Sequence, residues 1–219
     1  KYQMILLDDV IQEEARLNLV NSLSYKTMPD YNWWDGWWRV APRNSVEQAL
    51  HSLWRPYVNS DNYPAGIEYW SRKLTAPNPG LAWHQDTNEK EFSTDNYEIA
   101  GASMVYYTMV EDLVGGNLEL YPFDDREKRN QRLAVHNYLE LGAEESFKET
   151  IRCVQNRMVI YDSARLHRVS YVHAGVRENL ASSIWFEKPS IFHKHENYDK
   201  DWKPQKWEVK HEANMYQQR

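Results

Sequence analysis

The chain has 219 residues, among them 10 tryptophans and 15 tyrosines, and a formal net charge of −6. This length is sufficient to bury the core of one domain. The acidic balance argues against a nucleic-acid partner, because binding to phosphates calls for a basic surface. The single cysteine, Cys153, excludes an intramolecular disulfide framework and a multi-cysteine zinc site.

The same features indicate a compartment. One cysteine is typical of a protein from a reducing environment. No apolar run approaches the ~18–20 residues that cross a bilayer, and the opening KYQMILLDDV lacks the apolar stretch and cleavage site of a secretory leader. We therefore expect a cytoplasmic protein that does not enter a membrane.

The N-terminal part of the chain has mostly helical patterns. YQMILLDDVI, 2–11, is typical of a short strand that ends in a turn. QEEARLNLVNSL, 12–23, has apolar residues at helical spacing, with glutamates near the start where the helix dipole favours them. A second helix is predicted over 45–58, with Ser45 as N-cap and Gln48 at the capping-box position.

A tryptophan-rich stretch, YNWWDGWWRV, lies between the two predicted helices at 31–40. Its central Asp-Gly pair predicts a hairpin that packs its tryptophans onto a sheet. An alternative is that one or two of these tryptophans contact a substrate.

From residue 66 the pattern changes to short strand-like segments that are rich in Val, Ile, Tyr, Trp and Thr, with turn residues between most of them. The predicted strands are GIEYWSRKL, GLAWHQD, AGASMVYYTMV, GGNLELYPF, TIRCVQNRMVIYD, LHRVSYV and RENLASSIWFEK. Seven strands after a helical portion predict a mainly β protein, a sandwich or jelly roll with the N-terminal helices packed on one sheet.

Two segments interrupt this pattern. Residues 124–150 are charged and partly helical in pattern, which indicates an insertion between strands. The polar C-terminal extension, 188–219, contains Trp202 and Trp207, so we expect it to pack back on the body.

His84 and Asp86 stand two residues apart at the end of a predicted strand, so their side chains point to the same face, with Gln85 pointing outward. A histidine from a distant strand would complete two imidazoles and one carboxylate, a set that suits non-haem Fe(II). Only His167 lies in a strand-like segment flanked by apolar residues. Taken alone, the pair also fits an ordinary polar strand end.

Arg177 follows His167 by ten residues. Gly175 allows a turn between them, which places Arg177 on the next strand, beside the one that carries His167. An arginine that points into a barrel needs an anionic partner, and a bound dicarboxylate would supply one through a bidentate pair. Tyr107 would add a hydroxyl to the same carboxylate.

These residues together resemble the Fe(II)/2-oxoglutarate-dependent dioxygenases, in particular the branch similar to prolyl 4-hydroxylases. The matching runs are HQD, then VYYTMVEDLVGGNLELYP, then RMVIYDSARLHRVSYVHAGVR, then SIWFE. The resemblance covers roughly residues 66–187, and the opening ILLDDVIQEEARLNLVNSL is similar to the family's usual N-terminal strand and helix.

The resemblance implies a double-stranded β-helix, formed as a single domain over 1–219, with His84, Asp86 and His167 as the iron ligands. Arg177 would bind the 5-carboxylate of 2-oxoglutarate with help from Tyr107. Leu118 would line the cosubstrate pocket, and either Ser183 or Trp185 would face it.

The implied reaction uses Fe(II), 2-oxoglutarate and O2, releases succinate and oxidises an unactivated C–H bond. Related halogenases lack the carboxylate ligand, so the presence of Asp86 favours hydroxylation. The implied substrate is a prolyl or other side chain in a polypeptide, or a free amino acid or similar small metabolite. The polar loop after the proximal ligands, 87–96, would serve as a lid or as an ordinary solvated loop.

Three other functions compete with this interpretation. A non-catalytic jelly-roll binding module would bind neither iron nor 2-oxoglutarate. A cupin-type metalloenzyme would use a metal without 2-oxoglutarate, so it would not depend on Arg177. Nucleic-acid demethylation by the same chemistry is opposed by the acidic balance, and RENLASS lacks the second arginine expected for that branch.

Overall fold

The computed structural model of the chain describes residues 4–22, 31–87, 98–124 and 148–192. Within these ranges two antiparallel sheets form a jelly roll, as predicted. The six-stranded sheet has the order β1-β8-β5-β10-β3-β2, and the four-stranded sheet has the order β4-β9-β6-β7. The strands are β1 (Ile5–Leu7), β2 (Asn32–Trp34), β3 (Gly66–Thr75), β4 (Leu81–His84), β5 (Ala102–Gly115), β6 (Leu118–Asp124), β7 (Glu149–Ile151), β8 (Met158–Tyr161), β9 (Arg165–Val169) and β10 (Val172–Trp185).

The larger sheet has two apolar faces, and alternation along its strands decides which side chain lies on which face. On β10, Leu180 and Ile184 belong to the outer core, beneath the helices. The residues that follow each of them on the same strand, Ala181 and Trp185, face the space between the two sheets.

Two helices cover the outer face of the larger sheet: α1 (Glu13–Asn21) and α2 (Ser45–Trp54). Leu50, Leu53 and Trp54 of α2 are buried in the outer core. The Trp54 indole also donates to the Ser182 hydroxyl of β10 over 2.9 Å, which fixes the helix against the sheet. In the part of the chain that the structure describes, no helix is long and apolar enough to cross a membrane.

The start of α2 differs from the prediction. Asn44, not Ser45, is the N-cap, and its side chain accepts from the Glu47 backbone N–H over 2.9 Å. The Glu47 carboxylate in turn accepts from the Arg43 backbone N–H over 2.7 Å. The capping interactions therefore begin one residue earlier than expected, because asparagine satisfies the first-turn donors as well as serine does.

The tryptophan-rich stretch packs as expected but does not form a hairpin. Its first residues form β2, which pairs with β3, and the segment after the Asp-Gly pair forms a turn. Trp33, Trp34 and Trp37 are buried in the core, and none of the four tryptophans lines the central cavity.

Arg177 does not lie beside the strand of His167, contrary to the prediction. Gly175, at φ +74°, is part of β10, where a Cβ would lie 2.2 Å from the Glu111 carbonyl oxygen. The glycine therefore permits a bulge close to β5 instead of a turn between strands. Arg177 consequently lies in the six-stranded sheet, between β5 and β3, and faces the smaller sheet that carries His167.

Other predicted segments are only partly described. The segment TIRCVQNRMVIYD divides into β7 and β8, with Asn156 at φ 62° in the connection. Residues 125–147 of the predicted insertion, 88–97 around the proposed lid, and 193–219 of the tail, with Trp202 and Trp207, lie outside the described residues.

Candidate active site

The two histidines singled out by the sequence meet across the smaller sheet. His84 ends β4 and is paired in register with His167 of β9, and the centroids of the two rings lie 4.2 Å apart. The Asp86 carboxylate is 3.7 Å from Nε2 of His167. The ligand atoms of His84, Asp86 and His167 all lie within 4.8 Å of one another.

Backbone carbonyls fix the orientation of both imidazoles. Nδ1 of His84 lies 2.7 Å from the Ala82 carbonyl oxygen, and Nδ1 of His167 lies 2.9 Å from the Arg165 carbonyl oxygen. A carbonyl only accepts, so each Nδ1 donates its N–H to a backbone carbonyl and each Nε2 is the ring nitrogen left to face the cluster. A metal-binding histidine is usually oriented in this way by its other ring N–H.

Asp86 is held by hydroxyl groups on one side. Its Oδ2 accepts from Ser103, and from Ser183 over 3.3 Å. Ser103 is also hydrogen-bonded to Ser163 over 2.6 Å. These contacts occupy Oδ2, so Oδ1 is the oxygen that faces His167.

The charge state of the cluster suits cation binding. Burial alone would raise the pKa of Asp86, but the neighbouring His167 and the Ser103 hydroxyl outweigh it and hold this pKa well below its usual range. Burial, with His167 nearby, lowers the pKa of His84 to about 4. At neutral pH the site therefore combines a carboxylate with a neutral imidazole at His84.

Gln85 is not directed outward as predicted. Its Nε2 donates to the Ala164 carbonyl oxygen over 2.6 Å. This hydrogen bond links the segment that carries His84 and Asp86 to the turn before β9. It therefore helps to hold these two residues close to His167.

A cavity of about 600 Å³ extends between the sheets from the cluster to Arg177. The wall between the cluster and Arg177 includes the side chains of Val105, Leu118, Tyr161 and Val169. Leu118 is thus one of the residues that line this cavity, and its contact with a cosubstrate stays a prediction.

Arg177 is 2% exposed, and no carboxylate of the described residues pairs with it. Nη1 donates to the Gly116 carbonyl oxygen over 2.5 Å, and Nη2 donates to Oδ1 of Asn179 over 2.7 Å. Two of the five guanidinium N–H groups are thereby used and three remain, including a buried Nε–H without a partner in the described ranges. Among the described ranges, the positive charge that borders the cavity thus has no carboxylate paired with it.

Tyr107 lies beneath this guanidinium, with its ring centroid 5.0 Å from the Arg177 Cζ. Burial, with the adjacent Cys153 thiol contributing, raises the pKa of Tyr107 well above its ordinary value. The hydroxyl therefore stays protonated at neutral pH. Tyr107 is not among the residues that line the cavity, so its face supports Arg177 from below.

Ser183 and Trp185, the two candidates for the pocket wall, have different positions. Trp185 lines the cavity. Ser183 is fully buried and contacts the Asp86 carboxylate. The structure thus brings Ser183 to the cluster of His84, Asp86 and His167, whereas Trp185 borders the cavity.

Sequence reasoning missed several residues around the site: Ser103, Ser163, Asn179, Glu68, Trp70 and Arg72. Alternation along the predicted strands could have identified most of these residues. Asn179 is two residues from Arg177 on the same strand, so extending the alternation from Arg177 identifies it. Ser163 lies in a turn, where no periodicity applies.

The family model for the 2OG-Fe(II) oxygenase superfamily matches residues 71–187. The chain belongs to this superfamily. It is therefore an enzyme of a class that uses Fe(II) and 2-oxoglutarate with O2. No curated protein matches the chain at a significant level of sequence similarity.

Solved structures with similar folds include prolyl hydroxylases. A Pseudomonas putida prolyl-4-hydroxylase has 12% sequence identity and a TM-score of 0.55, with 84% of this chain and 88% of that chain covered. A viral collagen prolyl hydroxylase from Paramecium Bursaria Chlorella virus-1 has 12% identity and a TM-score of 0.51, with 84% and 90% covered. At this identity the likeness extends to the fold alone.

The residues of this oxygenase fit the cofactors of its superfamily. The Nε2 atoms of two histidines and one carboxylate oxygen are a donor set for Fe(II). The unneutralised guanidinium of Arg177 is a donor set for a carboxylate.

Proposed function

We propose that the protein is an Fe(II)- and 2-oxoglutarate-dependent hydroxylase, with His84, Asp86 and His167 as the metal ligands and Arg177 as the residue that binds 2-oxoglutarate. The proposal rests mainly on one observation: the cavity has a cluster of three ligand atoms at one end and, at the other, a buried arginine that pairs with no carboxylate of the described residues. The substrate is an amino-acid side chain or an amino-acid-like small molecule.

Arg177 determines how the cosubstrate enters. Its Nη groups are held by Gly116 and Asn179, so its remaining N–H groups are already directed before a ligand arrives. Such preorganisation lowers the cost of ordering the side chain when the 5-carboxylate binds. The ring of Tyr107 adds an attractive cation–π contact to the guanidinium.

The apolar wall between the two ends excludes water. Val105, Leu118 and Val169 border the cavity where the carbon chain of 2-oxoglutarate would lie. Exclusion of water strengthens the electrostatic contacts at both ends. When bound, the metal supplies the chemistry that couples O2 and the conversion of 2-oxoglutarate to succinate and CO2 to the insertion of one oxygen atom into a C–H bond.

The test is anaerobic addition of Fe(II) and then 2-oxoglutarate to the metal-free protein, with visible spectroscopy for the weak charge-transfer band of the chelate. We expect the band in the wild type and no band in His167→Ala. Arg177→Gln should give the band only at much higher 2-oxoglutarate concentrations. Folding of each variant is checked by circular dichroism.

The same experiment separates the competing functions. A binding module gives no band at any concentration although the protein is folded. A metalloenzyme that does not use 2-oxoglutarate binds iron but gives no chelate, and its iron affinity is the same in Arg177→Gln. Either result would contradict the proposed function.

A further inference from the structure

The cavity continues beyond the cosubstrate pocket along β3. Glu68, Trp70, Arg72 and Leu74 all border it. They are alternate residues of one strand and therefore share a face. Their neighbours Ile67 and Tyr69 point to the outer core instead. A negative charge, an indole and a positive charge thus follow one another along a single wall.

The register relates this wall to the two ends of the site. Leu74 pairs with Arg177 and Arg72 pairs with Asn179, while Glu68 pairs with Ser183. Ser183 touches the Asp86 carboxylate. Glu68 therefore lies level with the metal-binding cluster, and Arg72 lies between that level and Arg177, one strand further across.

Glu68 is a carboxylate kept in position inside the protein. It is 9% exposed, and its Oε2 accepts from the Trp185 indole over 2.8 Å. A buried acid that borders a cavity creates a local negative potential, which favours a cationic group in the cavity.

Aromatic rings surround the same position. Trp70 and Trp185 both line the cavity, and Tyr31 lies edge-on to Trp70 with ring centroids 5.3 Å apart. Indole and phenol faces attract ammonium and guanidinium groups, most strongly where water is excluded. Carboxylate and rings at this end therefore favour the same kind of ligand.

We infer that the β3 wall is the substrate subsite and that it takes a free zwitterionic molecule of the amino-acid class, with its cationic nitrogen at Glu68 and its carboxylate at Arg72. This inference rests on the proposed function, because it assigns the substrate of that same site. The inference also narrows the proposed substrate class to free molecules, since a side chain inside a polypeptide has neither a free α-ammonium nor a free α-carboxylate.

The spacing limits the size of this molecule. The Cα atoms of Glu68 and Arg72 are four residues apart on a strand, about 13 Å, and both side chains are long enough to shorten that gap. A substrate that bridges them has its two charges separated by one carbon up to a short aliphatic chain. Trp70, between the two, provides the apolar contact for that chain.

The test uses the reconstituted holoenzyme with Fe(II) and 2-oxoglutarate. The probes are the free L-amino acids, 4-aminobutyrate and 6-aminohexanoate, each compared with its carboxamide and its N-acetyl derivative. Two readouts are recorded: the perturbation of the anaerobic charge-transfer band, which reports binding, and succinate release in air, which reports turnover.

We expect a subset of the free zwitterions to perturb the band and to stimulate succinate release. Their carboxamides and N-acetyl derivatives should be weaker by roughly tenfold or more, since each loses a charge-assisted contact. Arg72→Gln should abolish the preference for acid over amide only. Glu68→Gln should abolish the preference for free amine over N-acetyl only.

Lys73→Gln is the matched control, because Lys73 lies on the same strand with its side chain turned outward to Glu178. It should keep both preferences. The apparent affinity for 2-oxoglutarate should stay within about twofold of wild type in all three variants.

The outcomes distinguish failure of the proposed function from failure of this substrate inference. Absence of the band in wild type overturns the proposed function and this inference with it. A normal band that no free zwitterion perturbs overturns the inference alone, as does turnover of N-acetylated peptide amides in preference to free amino acids. A tenfold or greater loss of 2-oxoglutarate affinity in Arg72→Gln assigns Arg72 to the cosubstrate and also overturns it.

Discussion

Replacement of Arg177 by glutamine removes the charge proposed to bind the 5-carboxylate, while a polar side chain is kept at this position. Removing one partner of a buried, hydrogen-bonded charge pair costs about 2–5 kcal/mol. Arg177 is 2% exposed and has three N–H groups beyond those bonded to Gly116 and Asn179. We therefore expect Arg177→Gln to lose about 3 kcal/mol of binding free energy, which raises the Kd of 2-oxoglutarate roughly 150-fold.

The assay is an anaerobic titration of the Fe(II) protein with 2-oxoglutarate and, separately, with 2-oxopentanoate, which has the same chain length but no distal carboxylate. Wild type should prefer 2-oxoglutarate by about the same factor of 150, and Arg177→Gln should hardly discriminate between the two. Arg177→Lys retains the charge without the planar fork and should give an intermediate loss. Arg39→Gln, at an exposed arginine bonded to the Ala65 carbonyl, is the control.

Two results would refute this reasoning. One is an unchanged 2-oxoglutarate affinity in folded Arg177→Gln. The other is an equal loss for both keto acids, since a loss that does not depend on the distal carboxylate arises from a distorted site and not from a missing ion pair.

Three further predictions concern the metal site and the fold. Ser103→Ala removes a hydrogen bond to Asp86 and should weaken Fe(II) binding about tenfold or more in a metal titration, whereas exposed Ser52→Ala should not. Burial lowers the pKa of His51 from 6.5 to about 4, so its contribution to stability is complete above pH 6.5 and is lost as pH falls towards 4. The free energy of unfolding of wild type relative to His51→Leu should therefore decrease by about 3 kcal/mol between pH 7 and pH 4 in urea titrations, and parallel curves would contradict this. Gly80→Ala should destabilise the protein by more than about 2 kcal/mol, because φ is +77° and a Cβ would lie 2.1 Å from a carbonyl oxygen of β9; an unchanged urea midpoint would contradict this.

The parts of the site that could be predicted from the sequence are those whose chemistry is local. His84 and Asp86 are two residues apart, and His167 lies in an apolar strand, so residue type and spacing were sufficient. The strands of the jelly roll were also recognisable, since alternation and turn residues mark them.

The errors arose where pairing between distant segments decides the result. Gly175 reads as a turn in the sequence, but contact with β5 makes it a bulge inside β10. Whether Ser183 or Trp185 borders the cavity depends on how far along β10 the Asp86 carboxylate lies, and a linear pattern does not contain that distance. The two serines bonded to Asp86, and the third serine bonded to one of them, come from three separate parts of the chain, so no local motif indicates them.

The alternation of β3 and β10 separates two kinds of mutational consequence. Ile67, Leu180 and Ile184 pack against the helices, so changes there alter stability. Trp70 and Ala181 belong to the same strands but border the cavity, so under the proposed function changes there alter ligand binding. Substrate specificity can accordingly change through side chains that alternate with core residues on the same strand but do not pack in the outer core. Small combinatorial libraries on these two strands are therefore a direct way to alter selectivity.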